Sequence, residues 1–419
     1  MSLVGAAQIV FWFCVAQVVA TGLVVAPFAL WLARSRAAPP VDAKWPKAVV
    51  LLPLRGADAN LGRTIERLLA QDYPDYEVHA VIDAPGDPAA AVVEPLAERN
   101  PRLKFGFIRE KLPTCSPQCS ALLQGVNELA SDVEIVATID GDVQTHSTWL
   151  RELVAPLLDA KVGAAFGNRW YLPSDAGWGS VVRYVWIAST IIPMALFRYP
   201  WAGTFAIKRR ALIESGLIEH WPRSIVPDAP TSDYLHKLGL QTRFVPSLMM
   251  VNRERCGLAF CADFVKRQMT WTRLYNRKFW PVVVPTAAVM LAWFAWFGLS
   301  AAAIVRGNWA ALGWTFAGIA VGFVGVVALV LMLEFAVRAV IIRRGAAALE
   351  FPSGFLLRLP AAIAVAEFMH AAALWLAYTR KQVTWRGVTY QIDDPRNVRI
   401  VADDTSAVRT TPAEADVSL

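Results

Sequence analysis

The stretch Ile135–Gln144, IVATIDGDVQ, ends an apolar run on two carboxylates, Asp140 and Asp142, with only Gly141 between them. Like charges this close repel, and each resists leaving water. They make sense together around a cation. Mg2+ or Mn2+ would bind through one or two carboxylates and complete its shell with oxygens of a substrate diphosphate. Gly141 would allow a close backbone approach. The plainer alternative is a turn closing a strand, where Asp-Gly is common. Asp83 ends a second strand-like segment, YEVHAVID, where an acidic side chain can hold a ribose or base edge. The turn-rich DAPGDP offers a bland alternative there too. Asp233, in PTSDYLHKLG, stands at a helix start, as a cap favoured by the helix dipole or as a general base. In FVKRQMTWTRLYNRKFW, Arg267 and Trp271 are one helical turn apart and could face one site. The same mixture of cations (Arg267, Arg273, Arg277, Lys278) and aromatics suits a helix lying at a membrane interface. VTWRGVTYQI, which holds Arg386, could anchor at that interface or fold back over a site.

These groups need a scaffold, and the sequence supplies one. AVVLLPLR reads as a buried strand, and ANLGRTIERLLAQ carries apolar residues at helical spacing. YEVHAVID, LKFGFI and VEIVATID read as further strands, while AAAVVEPLAERN and QCSALLQGVNELA read as helices. THSTWLRELVAPLLD reads as a helix capped by Thr145 or Ser147. Repeated strand–helix units of this kind predict an α/β fold with a mostly parallel central sheet and helices on both faces. Ligands bind such sheets at the carboxyl ends of the strands, so Asp83 and Asp140 aim at the same edge.

The chain has 419 residues, 56% hydrophobic and 18% charged, with a formal net charge of +7. Its apolar residues gather into runs long enough to cross a bilayer: Ile9–Trp31, Pro281–Ile304, Trp309–Leu333 and, more weakly, Ala361–Tyr378, which Glu367 and His370 interrupt. The first run lacks the charge pattern and cleavage site of a signal peptide and reads as a retained anchor. Arg34, Arg36, Lys44 and Lys47 follow it, which puts the next block in the cytoplasm. No basic run interleaves with exposed aromatics, so nucleic acid is excluded as a partner. Five cysteines at weak metal spacing, with no His beside either close pair, read as reduced cytoplasmic thiols rather than a zinc site. Four full spans would leave TWRGVTY across the membrane from the α/β block. An interfacial or re-entrant segment is therefore expected within Glu334–Pro360.

In their order, LPLRGADANL, QDYPDYEVHAVID, IDGDV, TSDY, RQMTW and TWRGVTY resemble the membrane-bound family-2 glycosyltransferases of GT-A fold. The resemblance is nearest to ceramide glucosyltransferases and hopanoid-associated bacterial glycosyltransferases, and it spans roughly Lys47 to Ile392. It implies an inverting transfer from a UDP-sugar, glucose first among candidates, to a lipid hydroxyl such as that of ceramide. It implies Mg2+ or Mn2+ on Asp140 and Asp142, and a bacterial inner membrane with the catalytic block on the cytoplasmic side. Pro53, Arg55, Asp83, Asp140 and Arg386 would surround the nucleotide sugar. Asp233 would be the base, with Arg267 and Trp271 at the ends of the family's Q/R-x-x-R-W motif. Three positions depart from the pattern: Thr270 replaces an Arg, Ser232 a Glu and Gln118 a Lys. Arg273 or Arg386 could supply the lost cation. The departures keep a catalytically inactive nucleotide-sugar-binding scaffold as an alternative, beside a processive polysaccharide synthase. The expected layout is an anchor (1–36), a linker (37–47), the GT-A domain (48–256), an interfacial helix (257–280), a membrane region (281–378), a WRG-containing tail (379–400) and a disordered end (401–419).

Overall fold

The computed structural model describes residues 2–36, 43–276, 279–345 and 350–404. A long apolar helix, α1 (Leu3–Arg34), precedes the α/β block. The block opens with β1 (Ala48–Leu54), α2 (Leu61–Leu69), β2 (Tyr76–Ile82), α3 (Pro88–Arg99), β3 (Leu103–Phe107), α4 (Pro117–Asn127), β4 (Ile135–Ile139) and α5 (Trp149–Val154). It continues through β5 (Val162–Tyr171), α6 (Trp178–Leu196), β6 (Thr204–Lys208), α7 (Arg209–Glu214), α8 (Thr231–His236) and β7 (Gln241–Asn252). Then follow α9 (Leu258–Tyr275), α10 (Trp280–Val305), α11 (Trp309–Arg343), α12 (Phe355–Thr379) and the strands β8 (Gln382–Trp385), β9 (Val388–Asp394) and β10 (Asn397–Asp403).

Local chemistry accounts for several boundaries. Pro88 and Pro117 open α3 and α4, where a missing N–H is harmless, and Asp87 and Ser116 cap them by accepting from Ala89 and Cys119 N–H. α5 starts after Thr148, one residue beyond Ser147 and three beyond Thr145, the two expected caps. Thr145 is not free to cap it, because its hydroxyl oxygen accepts from the Gln71 amide.

Seven strands form one sheet in the order β3-β2-β1-β4-β6-β5-β7. β1 runs parallel to both β2 and β4, and only β6 is antiparallel to its neighbours. The chain therefore winds outward in two directions from β1, which leaves a crevice beyond the carboxyl ends of β1 and β4. Alternate residues of β1 serve two cores. Ala48, Val50 and Leu52 pack with α2 and α5, while Val49 and Leu51 belong to a core that continues into α1, α11 and α12. The α/β block and the long helices thus share one apolar interior.

Among the described residues, five helices are long and apolar enough to cross a membrane: α1, α6, α10, α11 and α12. α1, α10 and α11 expose bulky apolar side chains, as lipid-facing helices do. α6 instead lies largely inside the protein. Phe11 faces Gly318 and Val18 faces Gly325, so α1 and α11 run in the same direction. A Cβ on Gly325 would come within 2.4 Å of Val18, so a small residue is required for that approach. The end of α10, at Ala303, meets the start of α1 at Ala7, so α10 runs the opposite way.

β8, β9 and β10 form a separate antiparallel sheet against the α/β block. Residues 401–403, expected to be disordered, are the end of β10 and pair with β9. The polar run that follows concealed these last residues of the strand, whose order comes with burial of Val398 and an ion pair of Asp403 with Arg55. Residues 405–419, the linker residues 37–42, Arg277 and Lys278, and residues 346–349 lie outside the described residues.

Candidate active site

The crevice beyond β1 and β4 opens into a cavity of ≈ 890 Å³. Pro53, Arg55, Asp83, Asp140, Asp142, Arg267, Trp271 and Arg386 all line it. The register explains the first group. β1 lies between β2 and β4, so Arg55, Asp83 and Asp140, each the residue after its strand, emerge side by side.

At one end Asp83 is buried, and its Oδ2 accepts from Arg55 Nη1 and Lys111 Nζ, both at 2.8 Å. Its Oδ1 is buried without a partner among the described residues. An unmet carboxylate oxygen next to a cavity suits the N–H or O–H of a ligand. Arg55 also donates to Asp403, so β10 forms part of this end.

At the centre, Asp140 and Asp142 are joined by Asp58, whose Oδ2 would lie 3.5 Å from a Cβ on Gly141. Gly203 also admits no side chain, since a Cβ there would reach 2.7 Å from Asp140 Oδ2. Desolvation pushes the pKa of both Asp140 and Asp142 up, and for Asp142 repulsion from Asp140 and Asp58 adds to it. Arg386 and Arg169 act in the opposite direction on Asp140. Arg386 Nη2 lies 3.5 Å from Asp58 Oδ2. Two withdrawn carboxylates with hard oxygen donors suit a divalent cation that draws further ligands from a diphosphate. No cluster of three or more metal-ligating side chains is found among the described residues.

Arg386 is held in an unusual conformation. With Gly387 it forms the two-residue turn between β8 and β9, and both residues have positive φ, 46° and 78°. Such turns favour Asn-Gly, so an Arg in the first position is strained. The turn is fixed by reciprocal bonds: Arg55 Nε donates to the Arg386 carbonyl at 3.1 Å, and Arg386 Nη1 to the Arg55 carbonyl at 3.0 Å.

α9 contributes Arg267 and Trp271. The Arg267 guanidinium lies over Phe264 and Trp385, and desolvation with nearby Arg169 pushes its pKa down to about 10. Trp271 packs with Val383, Val388 and Tyr390, so α9 carries the small sheet. Thr270 is buried and bonds to the Lys266 carbonyl of its own helix. Arg273 lies over Tyr378 and does not line the cavity, so Arg386 and Arg169 are the cations at the centre.

Asp233 is the exception among the candidates. It is exposed on the first turn of α8 and does not line the cavity. A carboxylate at that turn satisfies the helix dipole from the solvent side. Ser232 beside it bonds to Arg198 O and Thr242 Oγ1. Asp228, five residues earlier, does line the cavity. Its two oxygens accept from Ala202 N–H and Ala229 N–H. Desolvation raises its pKa to about 6, against the pull of those backbone bonds. The available signal was a lone carboxylate inside the apolar, proline-bounded IVPDAP. Arg169, near the end of β5, was also missed; its guanidinium sits over Trp201 and Phe264. Gln118 lines the cavity beside Pro117.

The chain matches the model of glycosyl transferase family 21 from residue 14 to residue 398. It belongs to that family. An N-acetylglucosaminyltransferase of Rhizobium meliloti (strain 1021) is 24% identical over 254 residues, 57% of this chain and 58% of that protein. The chain therefore spans little more than half the length of this relative. Among solved structures, the mannosyltransferase PcManGT from Pyrobaculum calidifontis, in complex with GDP-Man and Mn2+, is similar with a TM-score of 0.51. The identity is 17%, over 81% of this chain and 98% of that one. This likeness and the sheet order bear out the GT-A fold read from the sequence. In this family 21 member, the cavity described above is the candidate site of sugar transfer.

Proposed function

We propose that this glycosyltransferase moves a sugar from a UDP-sugar to the hydroxyl of a membrane lipid, with inversion at the anomeric carbon. One observation carries the reading. The same cavity runs from Arg55 and Asp83, past the carboxylates, to Pro281, Pro285 and Thr286 of α10 and His370 of α12. A donor site and an apolar, helix-lined acceptor site are therefore one continuous space. UDP-glucose and ceramide are the first pair to try.

In this reading Asp83 and Arg55 hold the nucleoside. Asp140 and Asp142 would hold Mg2+ or Mn2+, which would offset the charge growing on the leaving diphosphate. Arg386, Arg267 and Arg169 add fixed positive charge around the same group. Asp228 accepts the proton of the attacking hydroxyl, a role that its raised pKa suits near neutral pH. The anomeric bond to the diphosphate breaks as the bond to the lipid oxygen forms. An α-linked donor then gives a β-glycoside.

The helix directions support a matching topology. α1, α10 and α11 cross the membrane, with the catalytic block in the cytoplasm of a bacterial inner membrane. α12 lies along the block instead of crossing. Near its start Arg358 bonds to the Ala176 carbonyl, and near its end Tyr378 packs on Phe279 at the head of α10. This would keep β8–β10 on the catalytic side; residues 346–349 of the expected interfacial or re-entrant stretch lie outside the described residues.

The test is transfer by purified protein in lipid. UDP-glucose, UDP-galactose and UDP-N-acetylglucosamine are offered separately, with ceramide, diacylglycerol or total bacterial lipid. A glycolipid is expected from wild type with metal, and none with EDTA. Binding of UDP-sugar without any glycolipid product would sink the lipid reading.

A further inference from the structure

The membrane end of the cavity contains a donor that the mechanism above does not use. His370 sits on the apolar helix α12 and its ring lines the cavity. Trp186 of α6 donates its indole N–H to His370 Nδ1 at 3.0 Å. An indole nitrogen can only donate, so Nδ1 must offer a lone pair. The neutral ring then carries its proton on Nε2. Trp186 is buried and stacked edge-on against Phe264, so the arrangement is rigid. The hydroxyls on the same wall are differently placed. Ser189 and Thr190 donate to the carbonyls of Trp186 and Ile187, and Thr286 donates to that of Val282. Their hydrogens are taken up by their own helices. The only hydrogen bond of the His370 ring among the described residues is the one at Nδ1.

We propose that His370 Nε2–H selects the lipid acceptor, by donating to a carbonyl oxygen in its linkage region. The proposal rests on the lipid-transfer reading and sharpens it. A fixed neutral donor attracts neither cations nor alkyl chains. A carbonyl oxygen is the strongest neutral acceptor that the linkage region of a lipid offers. An acceptor without one would leave the N–H unmet in an apolar wall, which disfavours it about ten-fold to a hundred-fold.

The experiment compares acceptors that share a primary hydroxyl and differ at the linkage. Dioleoylglycerol carries ester carbonyls, N-oleoyl sphinganine carries an amide carbonyl, and dioleylglycerol diether carries none. Wild type is expected to show a lower KM for the carbonyl lipids, and the stronger of the two names the linkage. His370→Phe should raise the KM of the carbonyl lipids about ten-fold to a hundred-fold and leave that of the diether where it was. His370→Gln, whose amide N–H reaches a similar position, should recover part of the preference. UDP affinity, measured by calorimetry, should be the same in all variants and reports that they fold. If His370→Phe loses UDP binding, Trp186→Phe takes its place: it frees the tautomer and should weaken the same preference. Carbonyl preference that persists in the folded variants would overturn the proposal, as would a wild type that does not discriminate. A wild type that binds UDP-sugar and glycosylates none of the lipids would defeat the lipid reading itself.

Discussion

The two ends of the cavity are built on different principles. The donor end is a set of charges bound to one another: Arg55 with Asp83 and Asp403, Lys111 with Asp83, Arg386 with Asp58. The acceptor end is apolar, walled by α6, α9, α10 and α12, with its few polar groups largely engaged by their own helices. Charges that must meet a diphosphate are fixed in position by other charges. In the proposed reading, the wall that admits an alkyl chain is fixed mainly by packing, with one hydrogen bond between helices, from Trp186 to His370. Substitutions at the donor end should therefore change the rate of the chemical step, and those at the acceptor end the choice of acceptor.

The largest effect is expected at the carboxylate centre. Asp142→Asn should lower kcat by about a thousand-fold while UDP-sugar binding survives in part, and added Mn2+ should not restore it. A variant with near-normal turnover would remove Asp142 from the metal site.

Next comes Asp228→Asn, expected to cost about a hundred-fold in kcat, the low end for loss of a general base. The base works only when ionised. With its pKa raised to about 6 by desolvation, wild-type kcat/KM should fall about ten-fold per pH unit below that value. Rising pH through the same range restores it. The acid limb should be missing from the residual activity of the variant. Asp233→Asn should match wild type. A loss at Asp233 with none at Asp228 would reverse the assignment.

Arg386→Asn gives a smaller effect with two opposed parts. Asn suits the positive-φ turn better, so the variant should be no less stable. It removes a cation from the diphosphate, so kcat should fall about ten-fold to a hundred-fold. A drop in stability with unchanged kcat would make Arg386 a structural residue only. The smallest change is expected from Asp403→Asn. It weakens one ion pair of Arg55 and leaves that with Asp83, so UDP affinity should move by no more than about five-fold.

The contrast between the two ends also bears on what the sequence could reveal. The βα units were legible because their apolar residues recur at strand and helix periods over long stretches. Asp140 and Asp142 were legible because two carboxylates beside one glycine form a local pattern. The choice between Asp228 and Asp233 was not local. It turns on the loop bearing Ala202, which offers its N–H to one carboxylate and not the other. Arg169 projects from β5, a strand that pairs with β7 across some eighty intervening residues and left little trace in any single segment. The last residues of β10, 401–403, were read with the disordered end because the residues after them are polar, yet Asp403 is held by Arg55, far away in the chain. His370 first appeared only as an interruption of an apolar run. Its meaning depends on Trp186, which lies 184 residues before it.

The turn at Arg386 also has a consequence in time. Arg55 and Arg386, which hold each other, are separated by 331 residues. A ribosome needs on the order of tens of seconds to make that much chain. Through that interval the sheet can fold and the long helices can enter the bilayer, but the donor site lacks one of its cations. A growing chain should therefore consume nucleotide sugar far more slowly before its membrane helices have been made, which ties full activity to the completion of the membrane-embedded part.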